Sequence, residues 1–72
     1  MNIQYQNSFK DILKDLRLEK GLGQSDLAKK LQCSKSIISM WENGKREPSM
    51  HCIIKIADFF DITTDYLLGR TD

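Results

Sequence analysis

Gln24-Ser25-Asp26-Leu27-Ala28-Lys29-Lys30-Leu31-Gln32-Cys33-Ser34-Lys35-Ser36-Ile37-Ile38-Ser39-Met40-Trp41-Glu42-Asn43-Gly44 is the stretch whose reading decides the fold of this chain. Leu27, Ala28 and Leu31 recur at helical spacing, and Asp26 complements the dipole of a helix over about 24–31. Ser34 is a good N-cap for the next helix, 35–43, in which Ile37, Ile38 and Trp41 point one way. Gly44 closes that helix. Asn43-Gly44 can also mark a β-hairpin, but no alternating strands flank it, so the helix-stop reading wins. Two short helices remain, joined by Gln32-Cys33-Ser34.

Helical periodicity continues in both directions. Upstream, Ser8 is the expected cap, with Asp11 an imperfect capping-box partner. Phe9, Ile12, Leu13 and Leu16 form the apolar stripe of a first helix, with Lys10, Lys14 and Arg17 outside it. Gly21-Leu22-Gly23 ends that helix. Downstream, Arg46-Glu47-Pro48-Ser49 is a turn whose Ser49 caps a fourth helix over about 50–60. Met50, Ile53, Ile54, Ala57 and Phe60 keep helical spacing within it. Asp61-Ile62-Thr63 leads to a short fifth helix, 64–68, stopped by Gly69. Residues 1–7 are polar and read as a frayed N-terminus, and 70–72 as the C-terminal end. The expected architecture is all-α: one compact domain of five short helices from 8 to 69. The longest apolar runs are too short to span a bilayer, and the N-terminus lacks the regions of a signal peptide, which points to the cytoplasm.

The 72 residues carry a net charge of only +1, but that charge is unevenly spread. Up to Arg46 nine basic residues face five acidic ones, a net +4; from Glu47 onward two face five, a net −3. A chain polarised in this way can turn one basic face towards phosphates.

Enzymatic activity finds no support in the sequence, and no enzyme is expected. His51 stands without a carboxylate pair or nucleophile motif beside it. Cys33 and Cys52 have no CxxC partner and, with His51, do not have the spacing of a zinc site. Each cysteine reads as a small buried hydrophobe, and a disulfide is not expected in a reducing compartment. No metal or cofactor is expected.

The pair of helices around Gln32-Cys33-Ser34 has helix-turn-helix geometry, with small Ala28 where the helices cross. Packing its apolar side inward leaves Lys35, Ser36, Ser39, Met40 and Asn43 as one outward stripe. A helix of this kind fits the major groove of DNA with its N-terminal half nearest the bases. Lys35 can bond guanine, Ser36 and Ser39 several base edges, and Met40 can touch a thymine methyl. Asn43, Lys45 and Arg46 are placed to hold phosphates. Singly, each of these residues would read as part of a solvated face or a helix stop; it is their joint spacing that carries the reading.

Gln24 to Leu31, then Ser34 to Ser39, then Trp41-Glu42-Asn43-Gly44-Lys45-Arg46-Glu47-Pro48-Ser49 resemble the lambdoid phage repressor and Xre family of helix-turn-helix regulators. Ile56 to Gly69 resembles the fourth and fifth helices of that family. The resemblance covers nearly everything from Phe9 to Gly69 and implies the lambda-repressor-like five-helix fold. It also implies phosphate-contacting roles for Gln24 and Asn43, and base-facing positions for Ser34, Lys35, Ser36, Ser39 and Met40. The chain departs from the family pattern at two places. Gln32 stands where the turn usually has Gly, which predicts a left-handed backbone there at some cost. Ile37 replaces a common Ser or Thr, and burial is the favoured reading.

The function implied is a transcriptional regulator, more often a repressor, acting on a double-stranded, inverted-repeat operator. A weak homodimer through the fourth and fifth helices, around Phe59, Ile62 and Tyr66, would double the footprint. The alternative is an antitoxin or protein-interaction module of the same fold with a protein partner. A third reading makes these residues the DNA-binding part of a longer regulator, although the chain ends just after Gly69.

Overall fold

The computed structural model describes residues 8–70; the fraying expected for residues 1–7 lies outside the described residues. Five helices follow in order: α1 (Phe9–Glu19), α2 (Gln24–Leu31), α3 (Lys35–Glu42), α4 (Met50–Phe60) and α5 (Thr64–Leu67). No strand occurs among the described residues. Asn43 is the C-cap of α3 rather than its last residue, and α5 stops one residue short of Leu68.

Side-chain oxygens start three of the helices. Ser34, Ser49 and Thr63 accept from the backbone N–H groups of Ile37, Cys52 and Tyr66 at 3.2, 3.2 and 3.0 Å, satisfying donors that the helix itself leaves unpaired. At Gly23, Asp26 reaches back to accept from the glycine N–H at 2.9 Å. Ser8 departs from expectation: its hydroxyl donates to Asp11 Oδ2 at 3.1 Å and makes no bond to the backbone of α1. The two side chains satisfy each other instead of forming a capping box.

All five helices end in one motif. A residue with positive φ follows each helix, and the next N–H bonds back over the last turn: Leu22 to the Arg17 carbonyl, Cys33 to Ala28, Lys45 to Met40, Ile62 to Ala57 and Arg70 to Asp65. These paired bonds satisfy carbonyls that the helix leaves free. Glycine fills the left-handed position at 21, 44 and 69, but Gln32 (φ 59°) and Asp61 (φ 56°) adopt it without that freedom. The expected left-handed Gln32 is therefore present.

The core gathers Ile12 and Leu13 from α1, Leu27, Ala28 and Leu31 from α2, and Ile38 and Trp41 from α3. Ile53, Ile56, Ala57 and Phe60 of α4 and Leu67 of α5 complete it. Phe9 meets Trp41 edge-on, with ring centroids 6.5 Å apart. On α4 the buried stripe is 53-56-57-60, so the expectation for Met50 and Ile54 is corrected. They extend the same apolar arc past Ala57 on its outer edge, beyond the reach of the neighbouring helices, and are 72% and 48% exposed. Ile37 is half-buried and packs against the core, and Cys33 and Cys52 are half-buried rather than enclosed.

The largest departure concerns Arg17. Four residues after Leu13 it falls on the core side of α1 and is only 7% exposed, not outside the apolar stripe. A buried guanidinium needs partners. Here they are the Glu42 carboxylate and the Leu22 carbonyl.

Candidate nucleic-acid interface

The amphipathic pattern of α3 turns one side away from the core. With Leu27, Leu31, Ile38 and Trp41 buried, Lys35 and Ser36 at the N-terminal end of α3 are exposed, and Ser39 and Met40 are half-exposed one turn on. Asn43 is exposed beyond the helix end, and its Nδ2 donates to Ser39 Oγ at 3.3 Å. That bond orients both side chains along the outward face. Ser34 is exposed, but its oxygen is engaged as the cap of α3, which leaves its O–H free to donate.

Behind this face lies a polar clamp. Arg17 Nε and Nη2 donate to the two oxygens of Glu42 at 2.7 and 3.0 Å, a bidentate ion pair with side chains 9% and 4% exposed. Arg17 Nη1 donates to the Leu22 carbonyl at 2.8 Å, pinning the loop between α1 and α2. Gln24 Nε2 donates to Glu42 Oε1 at 3.1 Å. One carboxylate at the C-terminal end of α3 thus ties together α1 and the first residue of α2. The hydrogen bond to Glu42 is the main influence raising the Arg17 pKa, against the opposing effect of burial. The second N–H of Gln24 Nε2 remains free to donate at the α2 N-terminus, where backbone N–H groups and the helix dipole favour anions.

The loop after α3 carries the cations. Gly44 (φ 72°) lets the chain reverse, so that Lys45 N–H bonds back to the Met40 carbonyl at 2.9 Å and Lys45 and Arg46 emerge exposed. A Cβ at Gly44 would sit 3.0 Å from Lys10 Cδ, so the stem of Lys10 lies against this turn. Lys10 therefore lies beside the turn that carries Lys45 and Arg46, with its ammonium 3.6 Å from Asp11 Oδ1. Its distance in sequence hid that association, and no spacing signal reveals it. Because Arg17 and Glu42 neutralise each other in the interior, the residues up to Arg46 keep eight exposed cations against four exposed anions.

Together these elements make a firmly seated α3 with a polar outer face, flanked by Gln24 on one side and a basic turn on the other. Residues 13–67 match the model of one family, described as Helix-turn-helix. The chain belongs to the helix-turn-helix family. Among its relatives, the HTH-type transcriptional activator BcrR of Enterococcus faecalis is 43% identical over 61 residues, covering 85% of this chain and 30% of BcrR. The chain also spans only about half the length of several other helix-turn-helix regulators that it matches. In structure, it resembles the P22 c2 repressor crystallised with a synthetic operator, with a TM-score of 0.84 over 92% of this chain and all of the other. Identity there is 23%, so the likeness is one of fold. The restriction-modification controller protein C.AhdI from Aeromonas hydrophila is similar at 36% identity and a TM-score of 0.75, covering 82% of this chain and 89% of C.AhdI. The five-helix arrangement is thus the lambda-repressor-like helix-turn-helix fold.

Proposed function

We propose that this chain binds a specific double-stranded DNA site, laying α3 in the major groove, and regulates transcription there in the cytoplasm. The observation that carries this reading is the outward face of α3, held by the Arg17–Glu42–Gln24 clamp with a basic turn beside it. Ser34, Lys35, Ser36, Ser39 and Met40 are the base-facing residues of this reading, and Gln24, Asn43, Lys45 and Arg46 its phosphate contacts. Lys35 suits guanine O6 and N7, the serines accept or donate at several base edges, and Met40 meets a thymine methyl.

Occupation of an operator would block polymerase, so repression is the direct consequence of binding. Activation is the second reading, favoured by the name of the E. faecalis relative. One α3 covers only a few base pairs, so two chains on an inverted repeat, with half-sites about 34–36 Å apart, supply the needed specificity. Tyr66 and Leu68 at α5 and Ile54 on α4 offer exposed apolar surface for that pairing. Phe59 and Ile62 contribute less than the sequence suggested, because both are half-buried against the core. The test is selection of binding sites from random duplex DNA, followed by footprinting and ultracentrifugation with the selected site. An inverted-repeat consensus bound by two chains supports the proposal. No enriched sequence, or a single unrepeated site bound by one chain, refutes it in whole or in its assembly.

A further inference from the structure

The two cysteines are chemistry that the outer face of α3 leaves unused. Both are free thiols, and each is half-buried, so each keeps a path to solvent. Cys33 is the last residue of the turn before Ser34, the cap of α3, and its N–H is fixed on the Ala28 carbonyl at 2.9 Å. Cys52 is the third residue of α4, its N–H fixed on Ser49 Oγ at 3.2 Å. The turn that carries Cys33 follows α2, and α2 packs against α4, which carries Cys52. Both residues line one open cavity of about 200 Å³ between the turn and α4, alongside Trp41, His51 and Lys55. Burial raises the Cys33 thiol above its ordinary range, and the neighbouring Cys52 adds to this while Lys55 opposes it. Among the described residues no three potential metal donors converge, so the pair is better suited to thiol chemistry than to a metal.

We propose that Cys33 and Cys52 form an oxidant-responsive dithiol site that takes hydroperoxides and closes to a reversible disulfide within one chain. Cys52 is the attacking residue, and Cys33, whose thiol burial pushes up, is the resolving one. The Cys52 thiolate forms a bond to one peroxide oxygen as the O–O bond breaks; the other oxygen leaves as hydroxide, or as alkoxide from an organic hydroperoxide, and takes a proton from solvent to become water or an alcohol. The resulting Cys52 sulfenic acid is then attacked by the Cys33 sulfur. The S–S bond forms, the sulfenic oxygen departs as water with the proton of Cys33, and the two thiols have supplied the two electrons that reduce the peroxide. In a reducing compartment such a bond is transient and suited to sensing rather than to holding the fold.

The whole of α3 lies between the two cysteines in sequence. A disulfide requires its sulfurs about 2.05 Å apart, so closing it draws the turn towards α4 across the cavity. That moves Ser34, and with it the N-terminal end of α3 carrying Lys35 and Ser36. On the DNA-binding reading above, the oxidised chain has a lower affinity for its selected site.

The test treats the full reduced chain with hydrogen peroxide and follows it by intact mass, peptide mapping and Trp41 fluorescence. Trp41 is the only tryptophan and lines the cavity. The expected result is loss of two hydrogens from the monomer, a Cys33–Cys52 cross-linked peptide, a fluorescence change, and full reversal by a phosphine reductant. Cys33→Ser and Cys52→Ser should each abolish the cross-link, with Cys33→Ser stopping at an oxidised Cys52. Disulfide-linked dimers, or sulfinic acid on single cysteines with no internal cross-link, overturn the proposal. Duplex binding is measured separately on both forms. Equal affinity of cross-linked and reduced chains for the selected site overturns the regulatory consequence. Failure of the reduced chain to bind any duplex counts against the DNA-binding reading, and the thiol chemistry is then judged by mass alone.

Discussion

The Arg17 guanidinium grips both oxygens of Glu42 inside the domain, joining the middle of α1 to the last residue of α3. Neither charge has an alternative partner in water, so removing one strands the other. Breaking such a buried pair typically costs about 3–5 kcal/mol, whereas exchanging both members for apolar residues is often neutral or stabilising. Glu42→Ala and Arg17→Ala should each lower stability by about that amount in urea unfolding, and Arg17→Met with Glu42→Leu should recover most of it. A single variant that loses less than about 1 kcal/mol would place this pair with weak surface bridges.

The same substitutions separate stability from binding. In the apolar double variant Gln24 loses its acceptor, so the phosphate contact proposed for it is no longer oriented. Affinity for all duplexes should fall while the selected consensus stays unchanged, as read by mobility shift at a temperature where the variant is folded. A changed consensus would mean that the clamp also sets the register of α3.

Gln32 holds a left-handed backbone at φ 59°. For a residue with a Cβ that conformation costs about 1–2 kcal/mol, and glycine avoids it at an entropic cost of about 0.5–1 kcal/mol. Gln32→Gly should therefore stabilise the domain by up to about 1 kcal/mol, seen as a higher urea midpoint at constant slope. A lower midpoint would reveal an interaction of the Gln32 side chain that outweighs the backbone strain.

Base reading and phosphate holding should separate by mutation. Ser36→Ala and Lys35→Ala should each relax the selected consensus at a single position, worth about 1–3 kcal/mol there. An unaltered consensus in both would move the reading face elsewhere on α3.

Lys45→Ala should weaken binding to every sequence and reduce the log–log salt slope by about 0.9 if one phosphate contact is lost. Lys10→Ala should act in the same sense, because its stem lies against the turn at Gly44. A slope that Lys10→Ala leaves unchanged would assign that lysine a packing role over Gly44 alone.

The sequence by itself determined the five helices, their turns and the outward residues of α3. Each follows from local rules: helical periodicity, Ser34 and Ser49 as caps, glycine at 21, 44 and 69, and the 3.6-residue repeat that sets Lys35, Ser36, Ser39 and Met40 on one stripe. The left-handed backbone at Gln32 came from the resemblance to the family, whose turn usually has Gly at that place. What only the tertiary structure decided was which of several equivalent choices is buried. Periodicity allowed Met50 and Ile54 as readily as Ile56 to face inward on α4, and packing against α2 and α5 selected Ile56. Arg17 looked like a surface charge because its partner is 25 residues away. The approach of Lys10 to Gly44 and the shared cavity of Cys33 and Cys52 were hidden for the same reason. Short-range geometry is written in neighbouring residues, but a long-range contact forms only when separate helices are docked, and no local pattern encodes that docking.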